Sequence, residues 1–181
     1  MTRRLLLLTP LCLLVLALAP PASARPDNPP GGRRVGPLTI GQPPPPLALE
    51  RISGSGGLTL DQLRGQVVVL DFWATWCGPC RAVMPILDDM QRRDGRRGLT
   101  VVGMSPEPER AIRQHLHAQP VGYTIARDQG GTMRAYGIRG IPTLVILGRD
   151  GDVAEVMVGV DRARMARVDA LVQQLLAQPT P

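Results

Sequence analysis

From residue 47 onward the chain switches repeatedly between strand-like and helix-like spacing of its apolar residues. Leu47 to Ile52 reads as a first strand and Thr59 to Leu63 as a short helical turn. Val67 to Trp73 (VVVLDFW) is a continuous β-branched and aromatic run with a single acid, the pattern of a strand buried on both faces. Pro79 to about Arg93 then places Val83, Ile86, Leu87 and Met90 at helical spacing. Pro85 lies inside that run and predicts a kink, because its ring removes one backbone donor and crowds the preceding turn. Leu99 to Met104 is a second buried strand. Ser105-Pro106-Glu107 predicts a helix start, with serine as N-cap and proline at the first helical position, and the helix should run to about His117. Tyr123 to Ala126 predicts a short strand and Thr132 to Tyr136 a short helix. Thr143 to Leu147 and Val153 to Val158 form a hairpin around Arg149-Asp150-Gly151-Asp152. Asp161 can cap a last helix whose apolar face is Met165, Val168, Leu171, Val172 and Leu175. The order β-α-β-α-β, then a hairpin and a helix, predicts an α/β domain with a mixed central sheet flanked by helices.

The first residues follow a different pattern. Arg3 and Arg4 precede an apolar run from Leu5 to Ala19, and Ala22-Ser23-Ala24 offers the small residues a signal peptidase requires. Residues 1–24 therefore read as a secretory signal peptide. An uncleaved anchor is the alternative, although the run is short for a membrane span and Pro10 interrupts it. The arginine pair loosely matches a twin-arginine signal, but the rest of that motif is poor and the general secretory route fits better. Residues 25–37 are rich in proline and glycine and are expected to be a linker, with the folded domain spanning 38–181.

Charge narrows the function classes. Removing Arg3 and Arg4 takes the 21 basic residues to 19 against 15 acids, a net charge of +4 instead of +6. The excess is scattered, and the sequence contains no lysine. The densest basic cluster, Arg92-Arg93 and Arg96-Arg97, falls at a helix end where cations complement the macrodipole. No nucleic-acid partner is expected.

Of the three cysteines, Cys12 lies in the signal sequence, without the small residues that a lipid-anchoring signal places before its cysteine. Cys77 and Cys80 remain, three residues apart. Such a bridge closes too small a loop to add much stability, so chemistry explains it better than architecture does. A structural zinc needs four ligands, and a second pair is lacking. His115 and His117, two apart on a helix, face different ways, so no metal is expected. Trp76-Cys77-Gly78-Pro79-Cys80 instead joins a buried strand to a helix. A sulfur at a helix N-terminus meets unpaired N–H groups and the positive end of the dipole, which favours thiolate. Cys77 is therefore expected to attack, and Cys80, one turn in and more buried, to resolve the mixed disulfide.

FWATWCGPC, followed by Arg81 and Met84-Pro85, resembles the thioredoxin superfamily. Tyr136-Gly137-Ile138-Arg139-Gly140-Ile141-Pro142-Thr143 resembles its second signature. The export signal and the long segment between Met104 and Tyr136 resemble the TlpA/ResA-type membrane-facing branch, and the likeness extends over about residues 38 to 177. It implies a thioredoxin fold with an N-terminal extension and a central insert. It also implies a cis peptide before Pro142, with the preceding backbone, at Ile141, beside the sulfurs and able to pair with an extended substrate. Trp76, Gly78 and Pro79 would complete the substrate-binding surface. Asp71, six residues before Cys77, matches the buried acid of thioredoxins, where many exported relatives carry Asn. It reads either as a solvated edge residue or as a buried carboxyl with a raised pKa that takes the proton of Cys80. Val83 stands where exported reductases often have an acid, a departure that weighs against a specific cytochrome-maturation role.

The expected activity is thiol–disulfide exchange, in the reducing direction, on proteins outside the cytoplasm. It needs no cofactor beyond the cysteines, and a monomer is expected. The compartment has no glutathione pool to recycle the enzyme, so a membrane electron donor is implied. A thiol peroxidase of the same fold and a copper metallochaperone are the alternatives. The first needs a different pattern around its cysteine, and the second usually has wider cysteine spacing and a partner histidine.

Overall fold

The computed structural model describes residues 33–180 apart from 48, 54, 55 and 130. The expected signal peptide and the first part of the expected linker lie outside the described residues. The described chain opens with a hairpin of β1 (Arg34–Val35) and β2 (Leu38–Thr39), which begins inside the segment read as linker. Next come β3 (Leu49–Arg51), β4 (Gly57–Leu58), a 3-10 turn at Asp61–Leu63, β5 (Val67–Phe72) and α1 (Gly78–Asp94). After a second 3-10 turn follow β6 (Leu99–Ser105), α2 (Glu109–Ala118), β7 (Thr124–Asp128) and α3 (Thr132–Ala135). β8 (Thr143–Leu147), β9 (Val153–Val158) and α4 (Arg162–Leu176) complete it.

Seven strands form one sheet in the order β4-β3-β7-β6-β5-β8-β9. β5, β6 and β7 run parallel, β8 is antiparallel to β5, and both edges end in antiparallel pairs. Every residue of β5 is buried, and the strand's alternation divides them between two cores. Val67, Val69 and Trp73 pack with Val83, Leu87 and Met90 of α1, Ile112 of α2, and Met165, Val168 and Val172 of α4. Val68, Leu70 and Phe72 pack on the other side with Leu38, Leu47 and Tyr136. Each of these side chains contributes roughly 1.5–3 kcal/mol by leaving water, so the central strands dominate the stability of the fold.

One helix follows the expected span and one departs from it. Pro85 lies within α1 but does not end it, and its side chain is exposed. The helix expected from Ser105 starts at Glu109, after Pro108. The reason is local. A residue before proline is steered away from the helical region. Pro106 thus keeps Ser105 in β6, and Pro108 keeps Glu107 out of the helix, in a bend. The first expected strand is also shorter than Leu47 to Ile52, being β3 alone.

The segment ahead of β3 is packed against the domain. Tyr136 donates its hydroxyl to the carbonyl of Pro45 at 3.0 Å. A Cβ at Gly137, where φ is +66°, would sit 2.3 Å from Cδ of Pro37. Gly41 N–H donates to Val153 O, and Val153 N–H to Gln42 O, at 2.7 and 2.9 Å. Asp94, with no side-chain exposure, accepts from Arg93, Arg97 and Gln173, fastening α1 to α4. Three of the four arginines of the basic cluster are thus paired with acids, since Arg92 also pairs with Asp88 and Asp89.

Candidate active site

β5 ends at Phe72, and the short loop through Thr75 turns the chain into α1. Cys77 is the N-cap of that helix, with extended backbone and Pro79 in the first turn. Its sulfur accepts the N–H of Cys80 at 3.2 Å. A helix start leaves such donors unpaired, so a thiolate there gains a hydrogen bond and the favourable end of the dipole. Cys77 and Cys80 are joined in a disulfide, with Cα atoms 5.3 Å apart. Both sulfur-bearing residues are buried, Cys80 completely. The residues around them are not. Trp76 is 72% exposed, and Gly78, Pro79 and Gly140 are exposed. Of the two flanking indoles, Trp73 is core and Trp76 faces solvent.

The loop before Cys77 is fixed by a residue that sequence reasoning missed. Glu107 accepts from the N–H of Thr75 at 2.6 Å and from its hydroxyl at 2.7 Å. Ser105 donates to the same carboxylate at 3.1 Å. The helix-start reading placed Glu107 in a first helical turn. Because Pro108 keeps it ahead of the helix, in a bend, its side chain reaches across to the cysteine loop instead. A glutamate followed by proline was the available signal.

The Ile141–Pro142 peptide is cis. β8 pairs with β5 so that Thr143 lies opposite Phe72, which brings the cis bond to the end of β5 from which the cysteine loop leaves. Thr143 donates its hydroxyl to Gly140 O at 2.7 Å, and Pro142 O accepts from Gly159 at 2.9 Å, so both sides of the turn are held. Ile141 is half-buried and packs against both cores.

Asp71 is fully buried, so the solvated reading does not hold. The strand alternation points it to the face of Val69 and Trp73, the same packed face that holds Cys77 and Cys80. Neither carboxylate oxygen has a partner among the described residues. Burial pushes its pKa from 3.8 to about 7, which leaves it ready to gain or lose a proton at neutral pH. Among the described residues no group of three or more histidine, cysteine or acidic side chains is arranged to hold a metal.

Fold and site together define a thioredoxin-superfamily thiol–disulfide oxidoreductase. Residues 40–156 match the AhpC/TSA family, and the chain belongs to it. The chain is 31% identical over 123 residues to the thioredoxin-like protein YneN of Bacillus subtilis, covering 66% of this chain and 71% of that one. It is 27% identical over 124 residues to the thiol-disulfide oxidoreductase ResA of Bacillus thuringiensis, with 67% and 71% covered. A solved structure from Chlorobium tepidum, assigned as the thiol:disulfide interchange protein DsbE, superposes with a TM-score of 0.73 at 33% identity. That match covers 77% of this chain and 99% of the other.

Proposed function

We propose that the protein is an exported disulfide reductase that acts on proteins outside the cytoplasm. In this reading residues 1–24 direct export, 25–37 are a spacer, and 38–181 are the catalytic domain, working as a monomer. The observation that carries the chemistry is the placement of Cys77 at the start of α1 with Cys80 buried behind it, on the sheet face that also buries Asp71. Reduced Cys77 attacks a substrate disulfide as thiolate, and one substrate sulfur leaves with the electron pair and picks up a proton. Asp71 takes the proton of Cys80, whose thiolate attacks Cys77. That step breaks the mixed disulfide, releases the second substrate sulfur as a thiolate that takes a proton from water, and leaves Cys77–Cys80 oxidised. Trp76, Gly78 and Pro79 border the sulfurs, and the backbone at Ile141–Pro142 pairs with an extended substrate segment. A membrane protein supplies the two electrons and two protons that restore the dithiol.

The reducing direction follows from what surrounds the thiolate. A strong oxidant owes its power to extra stabilisation of that thiolate. The intervening residues are Gly78 and Pro79, with no cation between the sulfurs, and Arg81 is exposed. A potential near that of thioredoxin, about −270 mV, is expected rather than about −120 mV. Equilibration of the purified protein against glutathione, read by alkylation of Cys77 and Cys80, tests this. A midpoint on the oxidising side of glutathione would overturn the reductase reading.

A further inference from the structure

Asp71 does not stand alone as an orphaned polar group. Trp73 Nε1, Tyr123 OH and His115 Nε2 are also buried without a partner among the described residues. Buried polar atoms are nearly always satisfied, by protein or by ordered water, so four of them in one region call for an account. The sheet register brings them together. Asp71 on β5 lies opposite Gly103 on β6, and Gly103 lies opposite Ile125 on β7. Gly103 has no side chain, and its neighbours fill the notch. Trp73 Nε1 and Cε2 of Tyr123 each lie 3.1 Å from where its Cβ would stand. The Tyr123 ring therefore leans over the position next to Asp71. From the other side, the ring of His115 on α2 packs at 5.2 Å, tilted, against the ring of Trp73. Asp71, Trp73, Tyr123 and His115 thus line a polar seam between the sheet and α2, with Cδ1 of Ile125 nearest the notch at 2.7 Å.

We propose that Tyr123 and His115, bridged by ordered water, form the path along which the proton that Asp71 takes from Cys80 reaches solvent. The proposal rests on the proton-accepting role of Asp71 given above. A fully buried carboxyl cannot exchange its proton with bulk water directly, yet each turnover requires it to lose one and each re-reduction requires one back. The sequence has no lysine to act as a nearby relay. Tyr123 is a weak acid whose phenol is kept protonated, chiefly by burial and then by the charges of Asp71 and Asp88, so it both donates and accepts a hydrogen bond. His115 is held neutral at neutral pH, by burial first and then by the Arg81 charge, with Glu107 opposing. A neutral imidazole receives a proton at one nitrogen and releases one from the other. Arg81 of α1, Glu107 before α2 and Asp88 of α1 are the other charged groups facing the seam. Glu107 is engaged by Thr75 and Ser105, and Asp88 by Arg92 and the N–H of Gly122.

Single-turnover reaction of the reduced protein with a symmetrical nitrobenzoate disulfide separates the steps. Capture by Cys77 releases one coloured thiolate, and resolution by Cys80 releases the second. Tyr123→Phe and His115→Phe, which keep the rings that pack here, should leave the first phase unchanged. Each should slow the second on the order of tenfold at neutral pH, part of the 10²- to 10⁴-fold typical of positioned proton transfer. His115→Ala should be slowed likewise, and free imidazole should restore its second phase. Equal second phases in wild type and both phenylalanine variants would overturn the path, as would a parallel loss of both phases or failure of imidazole to rescue. Asp71→Asn separates the causes. If it slows the second phase while the His115 and Tyr123 variants do not, the path fails and the Asp71 role stands. If Asp71→Asn changes nothing, both fail.

Discussion

Replacing Asp71 with asparagine keeps the shape of a side chain that β5 buries completely and removes its ability to ionise. In the folded protein the carboxyl is raised from 3.8 to about 7 by burial, and unfolding returns it to water. Below pH 3.8 it is protonated in both states and has no effect on the balance between them. As the pH rises, the unfolded chain releases the proton readily and the folded chain does not, so the carboxyl increasingly favours unfolding. The effect grows until the folded group also ionises near pH 7 and is constant above that. At 1.36 kcal/mol for each pH unit, the full difference is about 4 kcal/mol. That is a large part of the 5–15 kcal/mol that holds a typical domain together, and well within reach of measurement. Urea unfolding of oxidised wild type and Asp71→Asn should be run from pH 4 to pH 9. Other titrating groups cancel in the difference, and the pH-independent cost of burying an amide offsets it by a constant without changing its slope. The variant should gain on the wild type steadily up to about pH 7 and then run parallel to it. A difference that does not vary with pH, or that grows in the opposite direction, would refute the buried, unpaired carboxyl.

Cys77→Ser should abolish reduction of insulin disulfides, whereas Cys80→Ser should accumulate mixed disulfides visible on non-reducing gels; stable adducts through Cys80 in the first variant would reverse the two roles. Glu107→Gln turns one acceptor into a donor facing the Thr75 donors, and should cost about 1–3 kcal/mol in urea unfolding and slow capture by Cys77. Asp94→Asn removes the carboxylate that accepts from Arg93, Arg97 and Gln173. Burial opposes ionisation there, but those hydrogen bonds prevail and hold its pKa below 3.8. Its contribution is thus present above pH 3.8 and lost as the pH falls through the lower, folded value. The variant should be about 1–3 kcal/mol less stable at pH 7, with the gap closing in strong acid.

The central strands and the cysteine-bearing helix were legible because burial on two faces demands unbroken apolar runs and one packed face demands helical spacing. Val67–Phe72, Leu99–Ser105 and Gly78–Asp94 all lie where those patterns put them. The cysteine pair and the cis Pro142 came from motifs, one with a physical rationale and one by resemblance. What was missed depended on contacts across the chain. β4 is two residues long and shows no period, and β1 and β2 sit in a segment whose proline and glycine content masks pairing. The start of α2 was misplaced because Ser-Pro-Glu satisfies a helix-start pattern, while Pro108, two residues beyond Pro106, decides the backbone. The convergence of Tyr123 and His115 on Asp71 depends on the register of three strands and on a glycine between them. No local pattern carries that.

β9 is the last strand on its side of the sheet, a row of backbone groups that could template the strand of another molecule. The stretch from Arg33 to Gln42 occupies the start of that row, through the two hydrogen bonds to Val153 and the pairing of Arg33 with Glu155. For a protein that exchanges disulfides with other chains, this strap keeps the exposed edge from pairing with them. Trimming the chain beyond residue 42 would bare the edge, and the first symptom would be turbidity on concentration, appearing while the cysteines still cycle normally.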